Sequence, residues 1–366
     1  MDDVKHTIKI VLKPIFKTRL PFVCLKINNQ IILNQPIEKE IEIKKTLSGQ
    51  LKKLSISIER SGRDKFVVNN EKEQSVIIDT IEINNIVINP DLGKFATNNN
   101  DYVKNEIVYT SKLTLNGHYQ LEIPILTLGG EIDKKTKKLE KFNQKNVSAD
   151  IVLFGASMTD WNFETGIPPI VNKDNYANLL IKNFKNYNCL NMGLSGLSNQ
   201  QIFENVKHFF QHNHSKIIFI QLISALVRQI KNSSDGELYR WSIHLDNSKE
   251  ERFIDEFTGM TPKRVLDYFV YLDVAPLLAL QLPYIQNFIN TFEQKNSKVY
   301  LVSYHKDEYK IYKKAFPDNI APYFDIDPNT KYCKDNGYHA TVEEHTRYFK
   351  ELTKFIQEKQ LINLKN

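Results

Sequence analysis

Cysteine is scarce in this chain: three residues in 366, Cys24, Cys189 and Cys333, lie far apart and form no Cys-x-x-Cys pair. A disulfide-stapled fold and the usual zinc or redox pairs are thereby excluded, and a reducing compartment or plain burial accounts for the thiols. Glycine and proline, 13 of each, are too few for collagen-like or low-complexity chains. Long apolar runs are missing too. The longest, IIFIQLISALV from Ile217, is about half of the roughly 20 residues that a membrane span needs. The opening MDDVKHTIKIVLKP interrupts its apolar residues with charge and so lacks the h-region of a secretory signal, which makes membrane attachment and signal-directed export unexpected.

Charge of one sign is also weak. Lys and Arg number 49 against 43 acidic residues, a net +6. Six lysines and three acidic residues between Gly129 and Ser148 place half of that excess in one short segment. No zinc-finger, RRM or KH signature accompanies it, so nucleic acid is not an expected partner. What remains is an ordinary globular composition, 41% apolar and 25% charged, long enough for two or three domains.

From Thr7 to about Leu128 the apolar residues recur with period two, in short runs such as TIKIVLK, PFVCLKIN, LSISIE, SVIIDTIEINNIVIN and YQLEIPIL. Seven or eight strands are expected, with Asn28-Asn29 and Asn116-Gly117 supplying hairpin-type turns. Strands this close together, without helices, predict an antiparallel β-sandwich of jelly-roll type over 1–128. A charged linker follows at 129–148, and from 149 the period changes. ADIVLFG, YNCLNMG, SKIIFIQLIS and SKVYLVSY read as strands. NYANLLIKNF, NQQIFENVKHFFQH and TVEEHTRYFKELTKFIQEKQ read as helices. This alternation predicts a parallel α/β/α domain over 149–366, with a helix-rich insertion at about 230–296 that Pro276 and Pro283 interrupt.

Ligands of an open parallel sheet sit beyond the carboxyl ends of its strands. GASMTD, NMGLSGLSN and QLISALVR fall there, and KDNGYHATVEEH precedes the last helix. Ser157 follows its strand by two small residues, where a hydroxyl can be presented at a turn; it needs a base, and His339 with Asp335 is the candidate pair. An α/β-hydrolase elbow is not met, since Thr159 stands where its second Gly belongs. His208, His212 and His214 share no Glu of a zincin motif and read as histidines near a helix carboxyl end, so no metal is expected. Asp325 and Asp327 read as a turn. Trp161 and Trp241 fall where a pocket rim would be, and an aromatic rim suits the apolar faces of a sugar.

GASMTD, NMGLSGLSNQQI and DNGYHATVEEH, in this order, resemble the first, second and fifth blocks of the SGNH (GDSL-type) hydrolases over about Val147 to Gln360. The resemblance implies a flavodoxin-like domain in which Ser157 is the nucleophile, His339 the base, Asp335 its orienter and Gly193 an oxyanion donor through its N–H. QLISALVR stands where that family has Gly-x-Asn-Asp, so Gln221 or Ser224 becomes the candidate replacement donor. Asp335 and His339 are separated by three residues where the family has two.

No cofactor is implied. The expected activity is that of a serine carboxylic ester hydrolase removing O-acetyl or other acyl groups from a surface polysaccharide. The alternative is an inactive SGNH-fold module serving as a structural or glycan-binding part. YTSKLTLNGHYQLEIPI weakly resembles phage tail and fibre domains, and the front domain also resembles esterase accessory domains. A virion location is therefore expected if the source is a phage, and a cytoplasmic one otherwise. Expected partners are an acylated carbohydrate, other virion proteins and further copies of the chain.

Overall fold

A computed structural model describes residues 4–17, 19–49, 53–62, 74–97, 107–124, 145–156, 158–159, 164–165, 170–171, 175–194, 199–223, 227–232, 238–242, 253–255, 274–327 and 340–362. The chain divides into two compact units. The first takes the amino-terminal strands and, from much later in the sequence, residues up to Pro283; the second takes the rest.

In the first unit the period-two segments become β1 (Lys5–Phe16), β2 (Phe22–Ile27), β3 (Gln30–Pro36), β4 (Ile41–Ser48), β5 (Lys53–Ser61), β6 (Gln74–Ile83), β7 (Ile86–Ile88), β8 (Lys94–Thr97), β9 (Ile107–Tyr109), β10 (Lys112–Leu113) and β11 (Gly117–Pro124). They make two antiparallel sheets, one ordered β10-β6-β1-β4 with β7 on β6, the other β3-β2-β5-β11-β8-β9. Alternation does the work: Val23, Leu25 and Ile27 on β2, Leu54, Ile56 and Ile58 on β5, and Tyr119, Leu121 and Ile123 on β11 are all buried, and the residues between them face away.

The Asn28-Asn29 turn is found as expected. Ile27 pairs with Gln30, and both asparagines have positive φ, 46° and 65°, as a two-residue type I′ hairpin requires. Asn84 and Asn85 repeat the device between β6 and β7, inside what reads in sequence as one long strand. Asn116-Gly117 is different. Leu113 belongs to one sheet and Gly117 to the other, so this pair joins sheets and closes no hairpin. The described strands number eleven because β8 and β9 are too short to show a period.

The second unit holds β12 (Ser148–Phe154), the short pair β13 (Glu164–Thr165) and β14 (Ile170–Val171), α1 (Tyr176–Asn183), β15 (Cys189–Asn191), α2 (Asn199–Phe209) and β16 (His214–Leu222). After these come β17 (Val227–Asn232), β18 (Leu238–Ser242), β19 (Phe253–Asp255), α3 (Val274–Glu293, in this unit only from Tyr284), β20 (Lys298–Ser303), α4 (Lys306–Ala315) and α5 (Val342–Glu358). Four strands form a parallel sheet ordered β15-β12-β16-β20. Its strands are apolar runs: β12, β16 and β20 are buried along nearly their whole length, as strands covered on both faces must be. Ser148, the last residue of the expected linker, begins β12; most of that linker lies outside the described residues.

The insertion departs from expectation. Its first part carries β17, β18 and β19, an antiparallel sheet ordered β18-β17-β19, in place of helix. Its later part is a single 20-residue helix that runs through Pro283. A proline inside a helix has no N–H and leaves the carbonyl four residues back without its bond. Here that carbonyl is Ala279 O, and Asn84 Nδ2 donates to it at 2.8 Å. A side chain of the β6–β7 turn thus replaces the missing backbone donor. Residues up to Pro283 group with the first unit and the remainder of α3 with the second. No helix among the described residues is long and apolar enough to cross a membrane.

Candidate active site

The sheet order makes β12 and β16 neighbours whose connections leave in opposite directions, and ligands of such sheets bind beyond the carboxyl ends at that switch point. Phe154 pairs with Ile220, so Gly155 and Gln221 are the next residues on each strand. Gln221 is fully buried. Its Oε1 accepts the Ala156 N–H at 3.1 Å and the Thr159 hydroxyl at 3.2 Å. Thr159 N–H in turn donates to Ala156 O at 3.0 Å, closing a tight turn across residues 156 to 159. Gln221 Nε2 donates to Leu222 O at 2.9 Å, so both polar atoms of this amide are engaged within the protein.

Gly155 makes the turn possible. A Cβ there would collide with Thr159 Oγ1 and lie 2.7 Å from Gln221 Oε1. The glycine is required by close packing of two side chains against the backbone.

The second-block loop lies directly alongside. Met192 N–H donates to Leu153 O at 2.7 Å and Leu194 N–H to Gly155 O at 3.0 Å, which carries β15's pairing past the strand end and brings buried Gly193 beside the turn. Gly193 N–H donates to Asn191 Oδ1 at 2.9 Å. Asn191 Nδ2 reaches back to Thr159 O at 2.6 Å and to Asn178 Oδ1 at 3.0 Å. One asparagine therefore ties the loop, the turn and α1 together. Asn199, at the start of α2, accepts Ile223 N–H and donates to Ile223 O, both at 2.8 Å, and so fixes the exit of β16.

A buried chain continues toward the last helix. Thr159 Oγ1 and Tyr176 OH are 2.8 Å apart, and Tyr176 N–H donates to His345 Nδ1 at 3.3 Å. Burial pushes the Tyr176 hydroxyl well above its usual range, the Thr159 bond opposing, so the phenol is neutral. Tyr176 stacks on His345 and meets Tyr348 and Phe324 edge-on. Met158 and Ala340 both belong to this same buried cluster.

Asp327 and Thr341, on either side of the undescribed residues 328–339, are bound by one carboxylate. Glu344 Oε1 accepts Asp327 N–H at 2.8 Å, and Oε2 accepts Thr341 N–H at 2.7 Å. Thr341 Oγ1 accepts Glu344 N–H at 3.1 Å, completing a capping box on α5. Arg347 adds a bond to Asp325 O at 2.7 Å.

Of the expected site residues, Gly193 and Gln221 are described, and the structure brings both to the Gly155–Thr159 turn. Ser157, Trp161, Ser224, Asp335 and His339 lie outside the described residues, as does Cys333. Trp241 is on β18, its backbone paired with Arg228. His214 pairs with Ser148 at the amino ends of β16 and β12, the end of the sheet opposite Gly155 and Gln221. Among the described residues no group of three His, Cys, Asp or Glu could hold a metal ion. Sequence reasoning missed Gly155, Thr159, Asn191, Asn199 and Glu344. For Glu344 the signal was present, since Thr-x-x-Glu ahead of an apolar-periodic segment is a capping-box pattern.

No family model and no curated protein matches the chain. Among solved structures it is similar to an acetyl xylan esterase from the rumen bacterium Butyrivibrio proteoclasticus, at 13% identity and a TM-score of 0.35, over 98% of this chain and 88% of that one. It is also similar to a family two carbohydrate esterase from Clostridium thermocellum, at 9% identity and a TM-score of 0.31, over 98% and 91%. A member of the lipolytic G-D-S-L family from Veillonella parvula covers 57% of this chain with 98% of its own, at 10% identity and a TM-score of 0.29. At these scores the likeness carries no weight for the chemistry, which rests on the chain's own residues.

Proposed function

We propose that the chain is a serine esterase of the SGNH type that removes an acyl group, acetyl in the first instance, from a carbohydrate. The observation that carries the reading is the clamp at the end of β12. Gln221 Oε1 holds the backbone N–H before residue 157 and the hydroxyl two residues after it, at the switch point of a parallel sheet, with the Gly193 loop bonded alongside. Such a turn is what an activated serine needs, because catalytic geometry must be fixed before the reaction begins. Met158 and Ala340, the chain neighbours of Ser157 and His339, share one buried cluster, which supports the pairing of the two.

In this reading the Ser157 hydroxyl oxygen attacks the acyl carbonyl while the His339 imidazole takes its proton, with Asp335 orienting the ring. The N–H groups of Ser157 and Gly193 stabilise the oxyanion; the Gly193 donor becomes available as Asn191 Oδ1 gives way. His339 then protonates the departing sugar oxygen, and water, deprotonated by His339, releases the carboxylate and restores the serine. Gln221 is a positioning residue in this scheme, because its amide nitrogen is bound to Leu222 O. The architecture proposed with it is a β-sandwich for the two antiparallel sheets and a flavodoxin-like layering for the parallel one. Acetate release from acetylated xylan and from 4-nitrophenyl acetate tests the reading: wild type should release it and Ser157→Ala should not, and equal release by both would overturn it.

One observation favours a second reading. With the Gly193 N–H on Asn191 and the Gln221 amide on Leu222 O, two expected oxyanion donors are committed, as they would be in a module that keeps the fold to bind a glycan without cleaving it. Glycan binding by wild type with no acyl release from any ester would select it. A virion role has no structural observation behind it among the described residues.

A further inference from the structure

The outer face of the second sheet of the first unit holds a groove of about 290 Å³. Its origin is local. On β2, β5 and β11 the even alternation sends Lys26, Ser57 and Gln120 to the face opposite the buried residues, and the register places the three side by side across the strands. The central strand carries Ser55 and Ser57, both short, with longer side chains on either flank, so a furrow runs across the sheet. Asn28, in the tight β2–β3 turn, closes one end by accepting Ser55 N–H at 2.8 Å through Oδ1.

The lining chemistry is polar throughout and weighted toward donors. Glu122 Oε1 is occupied by Lys53 Nζ and Gln120 Nε2, both at 3.0 Å. The Lys26 ammonium, the His118 ring and the Ser57 hydroxyl have no protein partner among the described residues. With its one carboxylate already neutralised by Lys53, the groove offers an uncompensated cation beside hydroxyl and amide donors. Its one ring is the His118 imidazole, with no Phe, Tyr or Trp to stack a nucleobase, and a single unpaired cation does not suit a polyphosphate chain. A polyhydroxylated molecule bearing a carboxylate matches the set, and the volume is at the small end of ligand sites, which run from roughly 300 to 1,000 Å³.

We propose that this groove is a binding site for an acidic saccharide, the Lys26 ammonium receiving a sugar carboxylate and Ser57, Gln120 and Asn28 receiving ring hydroxyls. The site stands on the β-unit alone and does not depend on the esterase reading. The test is calorimetric titration of the full chain with trigalacturonate and, as the neutral counterpart, galactotriose. Trigalacturonate should bind, at least tenfold more tightly than galactotriose, and more weakly as NaCl rises from 50 to 200 mM. Lys26→Gln should weaken it about tenfold, Ser57→Leu, which fills the furrow, at least tenfold, and Ser157→Ala should leave it unchanged. No binding, equal binding of the neutral sugar, or binding indifferent to Lys26→Gln in a protein of unchanged Tm would overturn the proposal. So would tighter binding of oligouridylate than of trigalacturonate.

Discussion

Gln221 Oε1 lies 3.1 Å from the Ala156 nitrogen, so the last residues of β16 hold the backbone of the turn that leaves β12. The same oxygen also takes the Thr159 hydroxyl, and the turn is gripped on both sides of residue 157. A leucine at 221 would keep the volume and bury the Ala156 N–H without a partner, at a cost of about 1–3 kcal/mol. Gln221→Leu is therefore expected to lower stability by that amount and acyl release by at least tenfold. Glu at 221 keeps an acceptor oxygen for the N–H, so Gln221→Glu should retain more of both. Thermal melts and kcat measured together separate the two effects, and full activity in Gln221→Leu would remove the clamp from the account.

In the proposed esterase, Glu344 would support the other half of the site from a distance. Its carboxylate binds the N–H groups of Asp327 and Thr341, which flank the segment that contains Asp335 and His339. Glu344→Gln leaves one acceptor oxygen in place of two, so one loop end loses its anchor. The expected result is a small loss of stability, about 1–2 kcal/mol, with a much larger loss of kcat than of substrate affinity. A change in Tm with unaltered kcat would mean that the capping box serves the helix alone.

Much of this was readable from the chain. Period two located the β-unit, and continuous apolar runs located three of the four parallel strands, because burial on both faces leaves no alternation. The Asn28-Asn29 turn was legible because positive φ at two successive residues selects so few residue types. The clamp was not: QLIS marks Gln221 as a replacement oxyanion donor, whereas its hold on Ala156 N–H and Thr159 depends on a turn some 60 residues away in sequence. The insertion misled for a related reason. β17, β18 and β19 are six, five and three residues long, too short to show a period, while the Pro-containing helix α3 draws a donor from Asn84, far back in the chain.

That donor yields a thermodynamic cycle. Asn84→Gly keeps the positive φ of the turn and removes the amide that serves Ala279 O, at a cost of about 1–3 kcal/mol. Pro283→Ala restores a backbone N–H in reach of the same carbonyl, so Asn84→Gly should cost measurably less in that background. Denaturant titration of the four proteins checks it; identical costs in both backgrounds would mean that the Asn84–Ala279 bond contributes nothing.

Asn84 Nδ2 also lies 3.3 Å from His6 Nδ1, and burial lowers the His6 pKa from 6.5 to about 4. The folded state keeps this ring neutral while the unfolded chain protonates it near 6.5, so stability is fully present above that pH and falls as pH drops toward 4. Melting temperature should decline across that window, and His6→Leu should flatten the decline. An unchanged slope in His6→Leu would assign the acid sensitivity to other groups.

An activated serine at residue 157 would react with a fluorophosphonate probe whatever the natural substrate. The folded protein is treated with the probe and the adduct located by peptide mass spectrometry, with Ser157→Ala and His339→Ala alongside. A single adduct on Ser157 is expected, absent in Ser157→Ala and at least a hundredfold slower to form in His339→Ala. A folded wild-type protein that takes no label, or takes it elsewhere, would contradict the esterase and leave the glycan-binding module.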